Sequence, residues 1–335
     1  MVHASDSKSE GDLTLVVGSG EQKTKIRASS QVLSLASPVF AAMLSPNFAE
    51  GQSGSKVICL PDDDVEALTW YCNALHFRKR HSDKISFALF EKLAILCDKY
   101  DSSQALDVWS HQWLQTWTGS FDREDTHPKI LWISYAFNNH SSFWNISRDL
   151  VWSYSAQKLE MVCNQPMNGI LPEGVLDSVD TALRKVLRKL QTSIENIIVP
   201  QLQTDCPSKK HHRISHQPCH HLNKIGHYFH ELSRLGLWPL SQVLYRNNVQ
   251  TILGKLLEFE NGDPNADWQY NNFCLAANSS QIDQRQSLIQ AFEDATAAQK
   301  GLCLQCVKNG KVSAHEGNCQ AQDEGQHKHT LEGTA

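Results

Sequence analysis

Residues 25–50 read KIRASSQVLSLASPVFAAMLSPNFAE, and local chemistry gives this stretch a shape before any distant contact is invoked. Val32, Leu33, Ala36, Phe40, Met43 and Leu44 recur at the three-to-four spacing of one helical face. Ser37-Pro38 interrupts that face. Proline disfavours helix in the residue before it but suits the first turn of a new helix, and Ser37 can cap the amides exposed there. The stretch therefore predicts two short helices at an angle. Pro46 and Asn47 stop the second, which leaves Phe48-Ala49-Glu50 on the loop that follows.

Upstream, Asp12 to Val17 alternates, so that Leu13, Leu15 and Val17 share a face before the turn Gly18-Ser19-Gly20. Lys23 to Ala28 completes a hairpin, with Thr24, Ile26 and Ala28 expected inward and Lys23, Lys25 and Arg27 outward. Lys56 to Leu60 is apolar on both faces and predicts a strand covered on two sides. Asp62-Asp63-Asp64 precede VEALTWYCNALHF, where acidic residues cap a helix and complement its dipole; a metal site is the competing reading of the three acids. A further helix over Phe87 to Tyr100 places Phe87, Phe90, Leu93, Ala94 and Cys97 on one face. Trp109, Trp113 and Trp117 follow at four-residue spacing, a core ladder or an aromatic binding surface. Cys59, Cys72 and Cys97 fall on apolar faces and read as small buried hydrophobes.

VLSLASPVFAAMLSPNFAEG, preceded by DLTLVVGSG and KTKIRAS and followed by KVICLPDDDVEALTWYCNAL and LAILCDKYD, resembles the BTB/POZ domain in the form common among filamentous fungi. The similarity spans roughly Gly11 to Trp117, about a third of the chain. It departs where many such domains carry His-Lys or His-Arg before the Val-Leu pair, because Ser29-Ser30 stand there. LWISYAF, FWNISRDLVW and LSRLGLWPL are similar to segments of fungal relatives beyond the domain. The resemblance implies an α+β fold, a small β-sheet surrounded by helices, followed by a mostly α-helical C-terminal region. It also implies protein–protein interaction, either as a substrate adaptor for a cullin-type ubiquitin ligase or as a homo-oligomerising scaffold. In adaptors of this family a hydrophobic-x-Glu triplet lies after the second helix of the signature; Phe48 and Glu50 match it as partner-binding residues. Family members that dimerise by strand exchange carry a longer N-terminal helix and strand than the eleven residues before Asp12, so the domain is expected to be monomeric or weakly dimeric.

At 335 residues the chain holds more than one unit, and its 41% hydrophobic and 20% charged content is that of an ordinary globular protein. The net charge of −5 argues against a nucleic-acid binder. MVHASDSKSEGD lacks the apolar core of a signal peptide, and a cytoplasmic or nuclear protein with reduced thiols is expected. Residues 1–10 read as a disordered lead, 11–117 as the domain, 118–163 as a helical extension and 164–173 as a linker rich in Pro and Gly. A long helix over 174–200 repeats Leu176, Leu183, Leu190 and Ile197 every seven residues, as a bundle helix or a short coiled coil. Its Arg184, Lys185, Arg188 and Lys189 read as a solvated face.

Residues 201–221 form a loop rich in His and Cys, and 222–262 are helical, with one helix to Leu235, Gly236 as its C-cap and another from Val243 to Phe259. Residues 263–314 combine helix with Cys303-x-x-Cys306, and 315–335 are a polar tail. Cys303, Cys306, Cys319 and His327 could together supply a tetrahedral structural zinc site. No glycine-rich phosphate loop, nucleophile elbow or His-Glu-x-x-His appears, so no enzyme activity is expected. A transcription or chromatin cofactor with a zinc-stabilised C-terminal module is the alternative function.

Overall fold

The computed structural model describes residues 11–19, 23–48, 56–79, 83–118, 123–164, 171–203, 220–261, 283–297 and 299–310. They form two compact units. The first takes the chain up to Ile146 and again from Cys303; the second runs essentially from Ser147 to Leu302.

In the first unit β1 (Leu13–Val17) lies between β2 (Thr24–Ala28) and β3 (Lys56–Leu60), antiparallel to the former and parallel to the latter. Leu13, Leu15 and Val17 are buried beside Ala28, Ile58 and Leu60, as alternation requires. Gly11 leads into this sheet where a Cβ would sit 2.4 Å from the carbonyl oxygen of Ala28, so the approach admits glycine alone. Two expectations fail at the sheet edges. Thr24 is exposed, and β3 is covered on one face only: Val57 is 41% exposed and Cys59 is exposed too. Both lie on the open face beside Thr14 and Val16, so Cys59 is not the buried hydrophobe its neighbours suggest.

The corner forms as expected, with α1 (Ser30–Ala36) and α2 (Pro38–Met43) meeting at Ser37. Ser37 Oγ accepts from the Phe40 amide at 3.1 Å and donates to the Tyr100 carbonyl. Leu33 and Phe40 are fully buried, while Val32, Ala36, Met43 and Leu44 are half-buried. Phe40 stacks on Tyr100, ring centroids 4.3 Å apart. Then α3 (Val65–Leu75) starts on Asp64, whose carboxylate accepts from the Ala67 amide at 2.9 Å, the capping role its position predicts. In α4 (Phe87–Lys99), Leu89, Phe90, Leu93, Ala94, Leu96 and Cys97 turn inward. In α5 (Asp107–Thr118), Trp109 and Trp113 are core and Trp117 is half-buried, which favours the core ladder. Helix α6 (Arg123–Ala136) begins ahead of His127-Pro128 and takes the proline within its second turn. Asn138, at φ 56°, ends this helix, and Asn139 caps α7 (His140–Ser153) through the Ser142 amide. Phe137, at the break, stacks on Phe90 at 5.6 Å.

The second unit is helical: α8 (Ala156–Cys163), α9 (Val175–Gln203), α10 (His220–Arg234), α11 (Leu240–Arg246), α12 (Val249–Leu257) and α13 (Gln284–Thr296). The buried face of α9 is Val175, Val179, Leu183, Val186, Leu187, Leu190, Ile194 and Ile198, while Leu176 and Ile197 are half-buried. That face follows a 3.6-residue period rather than a heptad seam, and it packs along α13, as a bundle helix does. Lys185, Arg188 and Lys189 are exposed, and Arg184 pairs with Asp180 on its own helix at 2.6 Å. Gly236, at φ 61°, closes α10 in the expected way. The single helix expected over Val243 to Phe259 is two. Asn247 is extended, and Asn248 restarts the chain by accepting from the Thr251 amide at 2.7 Å. The turn expected at Asn261-Gly262-Asp263-Pro264 lies outside the described residues after Asn261.

The chain returns to the first unit with α14 (Leu304–Lys308), which buries Cys303, Leu304 and Val307 and sets the Lys308 ammonium over the Tyr135 ring at 5.2 Å. Among the described residues, no helix is long and apolar enough to cross a membrane.

Candidate functional site

After α2 the backbone tightens through two turns, Ser45 N–H to Ala42 O at 3.0 Å and Phe48 N–H to Ser45 O at 3.2 Å. They deliver Phe48 to the surface with 50% of it exposed, although an aromatic of its size ordinarily seeks cover. Ala49 and Glu50 lie outside the described residues, so of the expected pair only Phe48 is placed.

At the start of α1, Ser29 and Ser30 have definite work. Ser29 caps α1 through the Val32 amide, and its own amide donates to His76 Nε2 at 2.9 Å. The other ring nitrogen, Nδ1, lies 2.7 Å from the Cys72 carbonyl, so His76 is the tautomer protonated there and ties the end of α3 to the start of α1. Ser30 donates its amide (2.8 Å) and its hydroxyl (2.6 Å) to the Asp12 carboxylate and accepts from Lys56 Nζ at 2.8 Å. The Ser30 hydrogen bonds, side chain first and then backbone, hold the Asp12 carboxyl well below the usual carboxylate range, assisted by Lys56 and opposed by burial. The two serines thus fasten sheet to helix where other domains of the resembled family carry His-Lys or His-Arg.

The thiols divide by environment. Burial pushes Cys72 and Cys97 up to about 12, so both stay protonated and neither is a nucleophile. Cys303 is buried and Cys306 half-buried on the first turn of α14. Cys319 and His327, the other two expected zinc ligands, lie outside the described residues, as does the stretch 206–219. Among the described residues no group of three His, Cys, Asp or Glu side chains is arranged to hold a metal ion. Asp63 belongs to no such group either: its carboxylate is buried and accepts from Lys99 Nζ and the Tyr100 hydroxyl.

One surface aromatic is not among the residues that the sequence pattern singles out. Phe77 sits at φ 55° with 83% of it exposed. It occupies the position just past α3 where the helix reverses: Phe77 N–H bonds Ala74 O at 3.0 Å, and Arg78 N–H bonds Asn73 O at 2.8 Å. The same closure recurs after α4, α6 and α10, where the left-handed residue is Asp101, Asn138 and Gly236, types that tolerate it. At Phe77 the conformation costs about 1 kcal/mol or more. The signal was available in the sequence as the lack of Gly or Asn between His76 and Arg78.

The BTB/POZ domain family model matches residues 3–71 of the chain. No curated protein is significantly similar to it. The matched stretch holds β1, β2, the α1–α2 corner, β3 and the first part of α3. The chain thus carries a BTB/POZ domain, a small three-stranded sheet with helices, followed by a mostly helical C-terminal region. Such domains are protein–protein interaction modules that bind other proteins and self-associate.

Proposed function

We propose, from a chain that carries a BTB/POZ domain at residues 3–71, that this protein is an interaction adaptor whose domain docks on a cullin-type ubiquitin ligase through the loop after α2. The observation that carries the reading is the half-exposed ring of Phe48 at the end of two successive tight turns. An exposed bulky aromatic flanked in the sequence by polar residues is an ordinary form of interface anchor. Glu50, two residues on, supplies a charged hydrogen bond that sets orientation.

The test is binding of purified full-length chain to a cullin N-terminal domain, compared with the Phe48→Ala/Glu50→Ala variant. A loss of about 2 kcal/mol or more, with the circular dichroism melt unchanged, supports the reading. Absence of binding by the native chain overturns it. A tight dimer in sedimentation at micromolar concentration would instead favour the homo-oligomerising scaffold.

A further inference from the structure

We propose that the surface around Phe77 is a second docking site, and that its occupant is a peptide segment of a partner protein carrying acidic side chains next to a bulky apolar one. Among the described residues, four helices end with the same pair of backbone hydrogen bonds around a left-handed residue, and in three of them that position is held by Asp101, Asn138 or Gly236. In the fourth it is held by a phenylalanine whose ring buries little of itself, so packing within the chain does not offset the strain. What the ring does have is a floor. Trp109 lies beneath it at 5.7 Å and 46°, and Val108, next along the first turn of α5, is 63% exposed.

Charge selects the occupant. The residues immediately after Phe77 are Arg78 and Lys79, and neither takes part in an ion pair among the described residues. Lys79 Nζ stands 4.9 Å over the Trp70 ring, held at the surface by the π face. Asp107, next to Val108 at the start of α5, lies 3.2 Å from His111 Nδ1 and sets one negative charge against the two positive charges of Arg78 and Lys79, so these three leave a net positive charge. An apolar anchor stacked on Phe77 would bring flanking carboxylates to Arg78 and Lys79, where an arginine accepts a carboxylate in two-point fashion.

The experiment is selection of displayed random peptides of about twelve residues on the full-length chain, with the Phe77→Gly chain as counter-selection. Glycine is the usual residue at this closure, so that variant is expected to melt no lower than the native chain. Enriched peptides should pair Asp or Glu with a neighbouring Leu, Ile, Phe or Trp. Once synthesised, they should bind the native chain at least roughly tenfold more tightly than either Phe77→Gly or Arg78→Glu/Lys79→Glu. Failure to enrich, enrichment of peptides without acidic residues, or binding indifferent to both variants overturns the proposal. So does a sedimenting dimer that Phe77→Gly abolishes, because the occupant would then be a second copy of this chain. Neither variant touches Phe48, so the outcome is independent of cullin docking.

Discussion

Tyr100 donates its phenolic hydrogen to the buried carboxylate of Asp63, a residue 37 positions earlier in the chain. Lys99 reaches the other oxygen of the same carboxylate, and the Tyr100 backbone carbonyl takes the Ser37 hydroxyl. One end of α4 thereby fixes both the corner of the α1–α2 pair and the entry to α3.

Removing the donor should be costly because the acceptor stays buried. Tyr100→Phe is expected to destabilise the protein by about 1–3 kcal/mol. Urea denaturation followed by tryptophan fluorescence checks this, and a change within error would show that Lys99 alone satisfies Asp63.

Phe40, stacked on the same tyrosine and without solvent exposure, anchors the corner from the other side. Phe40→Ala should cost about 3–5 kcal/mol, from lost apolar burial and the cavity left behind. A loss under about 1 kcal/mol would mean that the corner collapses to fill the space.

Stability should fall in acid partly through Asp12. Its folded-state pKa is depressed by Ser30 and Lys56, so it stabilises the fold above the unfolded carboxylate value and ceases to do so as pH falls toward the folded one. The window therefore opens below about pH 4. Because its side chain is about half exposed, solvent damps the effect. Asp12→Asn should be less stable than native at neutral pH, and the two should converge as pH drops toward about 2 in urea melts. A difference that does not change with pH would assign the effect to lost hydrogen-bond geometry instead of charge.

A fragment that stops at the end of α5 should be less stable than one that runs on through α6. Phe90, Trp113 and Phe137 form a three-ring cluster with centroids 5.6 to 6.1 Å apart, and Cys97 donates its thiol to the Ala136 carbonyl. A fragment over 11–118 would expose one side of Phe90 and Trp113, whereas 11–146 keeps it covered. The longer fragment should melt cooperatively at higher temperature than the shorter one in calorimetry. Equal melting would show that Phe137 contributes nothing to the first unit.

Much of the first unit was readable because its signals are local. Ser37-Pro38 dictates a corner through φ restriction and capping, and Asp64 caps α3 for the same reason. Misreadings arose where neighbours in space decide. The sequence of β3 is apolar throughout, and nothing within five residues says that this strand lies at an edge with Val57 and Cys59 on the open face. Asn247-Asn248 hides inside a continuous apolar period, which is why α11 and α12 read as one helix. Asp63 looked like a third capping acid, since its partners Lys99 and Tyr100 are brought to it by the fold. At the candidate site, Phe48 was legible as a residue beyond a helix stop, but the degree of its exposure depends on turns that sequence pattern does not resolve.

The first compact unit is interrupted: its chain leaves after Ile146 and comes back at Cys303 with Leu304 and Val307 to bury. On the ribosome, roughly 150 residues must be added between those two points. At typical synthesis rates of about 5–20 residues per second, the N-terminal unit waits on the order of ten seconds with the ground that α14 will cover still bare. During that interval the nascent chain offers apolar surface to chaperones, and any message cut short before α14 would yield a product in which that exposure is permanent.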